Sequence, residues 1–499
     1  MSRLRRAAAA TLLSSFPGDR VPAWLAPRVD AGLGGVCVYG SNREADLPAV
    51  SAMLHGLRPE VLVALDEEGG DVTRLEAAPG SSVPGNAALG AVDDVELTRN
   101  VAAALGRVLA ACGVDLDLAP CADANTDPAN PVIGVRSFGA DPDLVARHTV
   151  ATVAGLQAAG VAACVKHFPG HGSVDVDSHL GLPTVAAPVD VLRRRELVPF
   201  RAAVAAGCAA VMTAHLHVPA LDDLPATISR RILTDLLRGE LGFGGCVVTD
   251  ALDMAGIGGT HEIPANVVRA VAAGADLCCL GPDNTDELVG ACIDAVVAAV
   301  ASGELAEARV VDAAERVARL SALGPTDPSP GAASLGDVGA EAASRALRID
   351  GEMPGPAPLA GAHVVELDRP ANIAAGVVPW GIGQALRRLD ATASAERLAE
   401  DADADAVAAA LTAAAGRPLV VVVRDPQRRP TQAALLEALL VARPDAVVVD
   451  MGWPAATGTA PARGVARITT YGASRASGEA VAALLTGQIA AYARRTSRG

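Results

Sequence analysis

Hydrophobic residues along the chain fall into short runs separated by longer amphipathic stretches. Between residues 30 and 285 the runs occupy positions 34–39, 61–65, 114–118, 162–165, 209–212, 246–248 and 275–280. Each run ends in a polar or glycine-rich cluster, and Ala/Leu/Arg patterns at helical spacing fill the intervals. Strand-length runs alternating with helices predict parallel βαβ units. Seven or eight such units over about 300 residues predict a (β/α)8 TIM-like barrel rather than an open sheet. No glycine fingerprint follows the first run, which argues against a dinucleotide-binding fold.

The pattern changes near residue 325. The stretch around TDPSPGAAS is rich in turn formers and has no periodicity, so residues 323–336 read as a linker. Further apolar runs follow at 363–366, 419–423, 446–450 and 466–470, with helical patterns between them. The expected organisation is therefore a barrel over 1–322, the linker, and a smaller αβα sandwich over 337–499. The acidic stretch 400–405 reads as a solvated helix face.

Composition narrows the function classes. The chain has 499 residues, is 51% hydrophobic and 20% charged, and carries a formal net charge of −16. It is too apolar for disorder and too acidic for non-specific nucleic-acid binding. Aromatics are only 2%, too few for base-stacking platforms. Nine cysteines, an odd number without CxxC spacing, argue against a disulfide framework or a zinc ribbon and suit buried thiols in a reducing compartment. The first thirteen residues carry three arginines and an alanine run, but the run is short and continues into folded-type sequence. No uninterrupted apolar span of about 20 residues suggests a membrane helix. The expectation is a cytoplasmic protein with no membrane or nucleic-acid partner.

The polar residues after the runs matter most. Asp66 follows 61–65, Asp123 and Asn125 follow 114–118, and Lys166 and His167 follow 162–165. Thr213 and His215 follow 209–212, and Asp250 follows 246–248. In a barrel these positions converge on the C-terminal rim, where active sites lie. The densest segment is Lys166-His167-Phe168-Pro169-Gly170-His171-Gly172, with Asp175, Asp177, Ser178 and His179 just beyond it. Its glycines and proline predict a loop over the rim. Three readings apply: metal binding, which lacks an HxH or HxxxH element here; a surface loop with incidental charges; and proton transfer. In the last, His179 gives and takes a proton near neutrality, and Asp177 orients its ring and stabilises the imidazolium.

KHFPGHG followed by DSH resembles the bacterial β-N-acetylglucosaminidases of glycoside hydrolase family 3. The resemblance continues through Leu65-Asp66-Glu67-Glu68-Gly69-Gly70 with Arg74, then Asn130 to Phe138, Thr213-Ala214-His215 and Val248 to Met254, in the family's order over about residues 15–320. It implies a retaining exo-acting enzyme that removes terminal β-linked GlcNAc, with cell-wall muropeptide fragments as the source. It assigns Asp250 as nucleophile, His179 as acid/base and Asp177 as its partner. Asp66, Arg74, Arg136, Lys166 and His167 become the sugar-gripping residues. It implies no cofactor, no metal and a small glycoside as the partner. Two alternatives stay within this framework: a β-N-acetylglucosaminide phosphorylase, because a neutral imidazole does not repel phosphate, and a β-glucosidase. A non-catalytic sugar-binding protein is a third. The HxH pair His215/His217 reads as one rim residue and one bystander, His171 as a brace for the loop, and Asp253 as structural. Oligomeric state and the role of residues 337–499 stay open. Of 41 Lys and Arg residues, Lys166 is the one lysine.

Overall fold

The computed structural model describes residues 2–42, 45–174, 176–323, 334–353, 358–369, 375–454 and 466–488. The chain divides into two compact units. One comprises Met1–Glu68, Thr98–Ile133 and Gly139–Ala332; the other comprises Gly69–Leu97, Gly134–Phe138 and Ala333–Gly499. Two short segments inside the first 140 residues thus group with the C-terminal sequence, and they carry Arg74 and Arg136.

The first unit is built on eight parallel strands: β1 (Leu12–Ser14), β2 (Gly35–Val38), β3 (Leu62–Leu65), β4 (Leu116–Asp117), β5 (Ala162–Phe168), β6 (Ala210–Thr213), β7 (Cys246–Val248) and β8 (Cys278–Cys279). Neighbours run β7-β6-β5-β4-β3-β2-β1-β8. A parallel bridge between Val248 and Leu277 brings β7 against the start of β8, so the sheet nearly closes into the expected (β/α)8 barrel. Seven strands fall on the apolar runs. The eighth, β1, follows directly on the helix Arg3–Ala10, and its three residues are too few to show a period.

Barrel strands alternate between two buried environments. Leu62, Ala64, Ala162, Cys164, Ala210, Met212, Cys246 and Val248 share one core cluster inside the barrel. Val63, Ala163, Val211 and Val247 lie between them in sequence and are also fully buried. With both faces covered, strands read as continuous apolar runs, as parallel sheets require. The same parity sends Asp66, just past β3, and Lys166, within β5, to the barrel mouth.

Asp276 secures the seam between β7 and β8. Its backbone N–H donates to Val247 O (2.8 Å), and its carboxylate accepts from Val247 N (2.8 Å). The same carboxylate pairs with Arg238 Nη2 (2.5 Å) and with Arg309. No solvent reaches Asp276.

The second unit holds a six-stranded sheet: β9 (Arg348–Asp350), β10 (His363–Leu367), β11 (Ser394–Leu398), β12 (Leu419–Val423), β13 (Val447–Asp450) and β14 (Arg467–Thr469). Their order is β11-β10-β12-β13-β14-β9, parallel except for β9. Val420, Val422, Val447 and Val449 face one core cluster, and Val421, Val423 and Val448 face another, so both sides of this sheet are covered. Of the linker 323–336, residues 324–333 lie outside the described residues, and a helix begins at Leu335 with Ser334 as its cap. Asp403, in the acidic stretch 400–405, caps the helix Ala404–Ala413 through Ala406 N (2.9 Å), and Glu400 pairs with Arg429 (3.1 Å). That stretch is therefore a helix start rather than only a solvated face. Among the described residues no helix is long and apolar enough to cross a membrane.

Replacing Asp276 by Ala leaves two guanidiniums without their buried counter-charge. The expected loss is about 3–5 kcal/mol, read as a lower denaturation midpoint of the purified chain; an unchanged midpoint would refute this role.

Candidate active site

Lys166 stands at the mouth of the barrel between two carboxylates. Its ammonium lies 2.6 Å from Asp66 Oδ1 and 2.8 Å from Glu68 Oε1. The lysine side chain is 2% exposed and Asp66 is 19% exposed, so the pair is solvated from the Asp66 side. A compact ammonium can direct three donors, whereas a planar guanidinium needs more room and a fixed fork. Asp66 and Lys166 are among the expected sugar-gripping residues, whereas Glu68 belongs to the same motif but not to that set. The two-residue strand period, which puts 66 and 68 on one side, is the signal that points to it.

The next carboxylate organises the loop. Asp123 Oδ2 accepts from His167 Nδ1 (2.7 Å) and from the Cys121 thiol (3.2 Å). Asp123 Oδ1 accepts the backbone N–H groups of His171 (2.6 Å) and His167 (3.3 Å). Burial raises the cost of this charge, but the His167 imidazole and these donors outweigh it and hold the Asp123 carboxyl at about 2. The hydrogen bond fixes His167 with its proton on Nδ1 whenever the ring is neutral. Gly172 passes directly over β4's exit, where a Cβ would collide with the carbonyl oxygen of Ala124. Gly170 adopts a φ of +124° beside Glu196, a conformation closed to most side chains.

Asp177 and His179 are joined, as the sequence pattern suggests. His179 Nδ1 lies 2.7 Å from Asp177 Oδ1, which also accepts the His179 backbone N–H (2.9 Å). Burial pushes the Asp177 carboxyl up, but the His179 ring and amide bring it below the ordinary carboxylate value. Ser178 between them accepts at its carbonyl from Gly256 N (3.2 Å), which ties this loop to the segment after β7. His171 braces it from beneath, with Nε2 3.1 Å from Ser178 Oγ. Burial, together with the neighbouring His167, drives the His171 imidazole down to about 4, so it is neutral at physiological pH. Asp175 lies outside the described residues.

Asp250 follows β7 and accepts from Ala251 N (2.8 Å). Burial disfavours its charge, yet His215, His167 and His179 all act on it and hold the carboxyl below its ordinary value. Three imidazoles, two from the β5 exit and one from that of β6, therefore act on one carboxylate. His215 is held at both nitrogens, by Thr227 Oγ1 (2.8 Å) and by the carbonyl of Ala251 (2.8 Å). Burial lowers this ring below the ordinary histidine value, and its two hydrogen bonds position the Asp250 segment. Asp253 is a second carboxyl nearby, raised to about 6 by burial and by the charge of Asp250. Of the candidate residues, Asp66, Lys166, His167, Asp177, His179 and Asp250 belong to the barrel unit, while Arg74 and Arg136 belong to the other unit. There Arg74 donates to Ala375 O (3.3 Å), and the Arg136 carbonyl accepts from Asn86 Nδ2 (2.7 Å).

Residues 30–320 match the family model for the glycosyl hydrolase family 3 N terminal domain. The chain is 41% identical over 234 residues to beta-hexosaminidase A of Pseudoalteromonas piscicida, covering 44% of this chain and 39% of that protein. It therefore spans well under half the length of that relative. It is 39% identical over 272 residues to a beta-hexosaminidase of Neisseria meningitidis serogroup C, covering 52% of this chain and 75% of the relative. It superposes on a glycoside hydrolase family 3 beta-N-acetylglucosaminidase from Paenibacillus sp. str. FPU-7 with a TM-score of 0.87 at 33% identity, covering 98% of each chain.

The neutral, buried His171 makes stability pH-dependent. Its folded value of about 4 lies below the roughly 6.5 of an unfolded histidine, so this stabilisation is complete above pH 6.5. It is lost as pH falls from there towards 4, on the order of 3 kcal/mol. Denaturation midpoints of His171→Gln should decline less steeply than wild type across that window. Parallel declines would show that His171 is not held neutral.

Proposed function

The chain belongs to glycosyl hydrolase family 3 and acts as a glycoside hydrolase, and we propose that it is a retaining exo-β-N-acetylglucosaminidase releasing terminal β-linked GlcNAc from cell-wall fragments. The observation that carries this reading is the pairing of an ionised Asp250 with a His179–Asp177 couple in one electrostatic field. A nucleophile must be charged at working pH, and a proton donor must sit beside it without competing for the same role. The β-hexosaminidase relatives and the Paenibacillus enzyme support the choice of sugar.

In the first step the Asp250 carboxylate attacks C1 of the sugar while protonated His179 gives its Nε2 proton to the departing glycosidic oxygen. The bond from C1 to Asp250 forms as the bond to the leaving group breaks. Asp177, bonded at Nδ1, favours the imidazolium before this transfer and orients the ring throughout. In the second step neutral His179 takes a proton from water, the oxygen attacks C1, and Asp250 departs as carboxylate. Two inversions give net retention. Lys166, braced by Asp66 and Glu68, offers a fixed cation to a sugar hydroxyl, with His167 next to it in the chain.

One feature favours a second reading. The acid/base is an imidazole, and once it is neutral it does not repel an incoming anion as a carboxylate does. Phosphate in place of water at the second step would release GlcNAc 1-phosphate. Assays with an aryl β-GlcNAc substrate, with and without phosphate, separate the two outcomes; an aryl β-glucoside tests the choice of sugar, and any turnover excludes a sugar-binding protein without activity.

Asp250→Ala and His179→Ala should each lower kcat on aryl β-GlcNAc by at least about 100-fold. Near-normal turnover by Asp250→Ala would overturn the assignment. Lys166→Arg should lose at least about tenfold in kcat/KM, because a larger, planar guanidinium replaces the compact ammonium between Asp66 and Glu68; full retention would show that cation shape is irrelevant there.

A further inference from the structure

We propose that Cys121, Asp123 and His167 form an inhibitory site for a thiophilic divalent cation such as Zn²⁺. The three residues are brought together by the pairing of β4's exit with β5. Ala122 N donates to Lys166 O (2.6 Å), Lys166 N donates to Pro120 O (3.0 Å), and Cys121 forms a parallel bridge with Lys166. This register sets Cys121 and Asp123 beside His167.

The ligand atoms of the three side chains lie within 4.8 Å of one another. The thiol is 3.2 Å from Asp123 Oδ2, and His167 Nδ1 is 2.7 Å from the same oxygen. One sulfur, one imidazole nitrogen and one carboxylate oxygen make a donor set that suits Zn²⁺ and its thiophilic congeners rather than Mg²⁺ or Ca²⁺. Among the described residues no other group of three Cys, His, Asp or Glu side chains meets this closeness. The remaining cysteines sit in other surroundings: Cys37, Cys164, Cys246 and Cys279 line the apolar barrel interior. Cys121 and Asp123 are fully buried and His167 is 7% exposed, so a cation enters past the His167 ring.

Binding balances as follows. The Cys121 thiol releases its proton to solvent and coordinates as thiolate. His167 gives up its Nδ1 proton, to solvent or to its own Nε2, and coordinates through Nδ1. Asp123 turns an oxygen from its hydrogen-bond donors to the cation. Two negative ligands then neutralise the divalent ion. The cost falls on the sugar-gripping loop: His167 Nδ1 exchanges its hydrogen bond to Asp123 for the cation, and the amides of His167 and His171 share their anchor with a metal. Cation binding and sugar gripping therefore exclude each other. The inhibition, though not the metal site, rests on the reading of this loop as a sugar-binding element.

The test uses the purified full-length chain and two readouts. Titration with Co²⁺ should give one equivalent bound with a near-ultraviolet sulfur-to-cobalt charge-transfer band, and Cys121→Ser should lose that band. Zn²⁺ should inhibit aryl β-GlcNAc turnover reversibly to EDTA. Cys121→Ser, whose hydroxyl can still donate to Asp123, should turn over like wild type and need at least tenfold more Zn²⁺ for half-inhibition. Cys121→Ala serves if the serine variant fails to fold. Absence of the band, or its persistence in both variants, overturns the proposal. Equal Zn²⁺ sensitivity of wild type and variant also overturns it and places the cation on Asp177–His179 or Asp250. A chain that shows the band but turns over no aryl β-GlcNAc refutes the functional reading and leaves the metal site standing.

Discussion

The candidate site depends on one buried carboxylate. An unpaired carboxylate shut away from water is costly, and a protein either pairs it or protonates it. Asp123 is fully buried and stays ionised because an imidazole, two backbone amides and a thiol all point at it. Those donors come from two strand exits and the loop between Lys166 and His171, so satisfying one charge shapes the whole loop. The tautomer of His167, the path of the chain under Ser178 and the nearness of Cys121 all follow from it. The same economy makes this spot attractive to a cation, which would satisfy the carboxylate in a different way.

A second constraint is the parity of the barrel strands. Residues two apart share a face, so the apolar interior formed by Leu62, Ala64, Ala162 and Cys164 continues at the mouth as Asp66 and Lys166. The candidate site thereby sits directly above packing. The apolar floor excludes water beneath the Lys166 ammonium, which strengthens its attraction to Asp66 and Glu68 relative to the same contacts in solvent. At Asp250, His215, His167 and His179 offset burial and hold the carboxyl below its ordinary value, and His215, bonded at both nitrogens, fixes the segment that carries it.

Much of this was legible along the chain. Seven barrel strands announce themselves because parallel strands buried on both faces leave uninterrupted apolar runs, and the polar residues after them form the rim. The strands at Leu12–Ser14, Arg348–Asp350 and Ser394–Leu398 escape that signal. The first and second are three residues long, and the third is partly exposed with charged residues in it, so none has a run to read. Asp177 and His179 are adjacent enough for their pairing to be local. Asp123 on His167 and Glu68 on Lys166 are not: each pair is joined across strands, and only register decides which rim carboxylate meets which cation.

The sequence by itself determined the strand-and-helix alternation, the residue types on the rim and the DSH couple, because these follow from local periodicity and short spacing. Tertiary structure decided the rest. It placed β1 in the barrel, grouped the segments bearing Arg74 and Arg136 with the C-terminal unit, and set three imidazoles around Asp250. It also decided what the lone lysine does. Composition shows only that Lys166 is the exception to arginine, whereas β5's register puts it between two carboxylates. Charges that far apart in sequence meet only when strand order and register are fixed, and that is a property of the closed sheet rather than of any one segment.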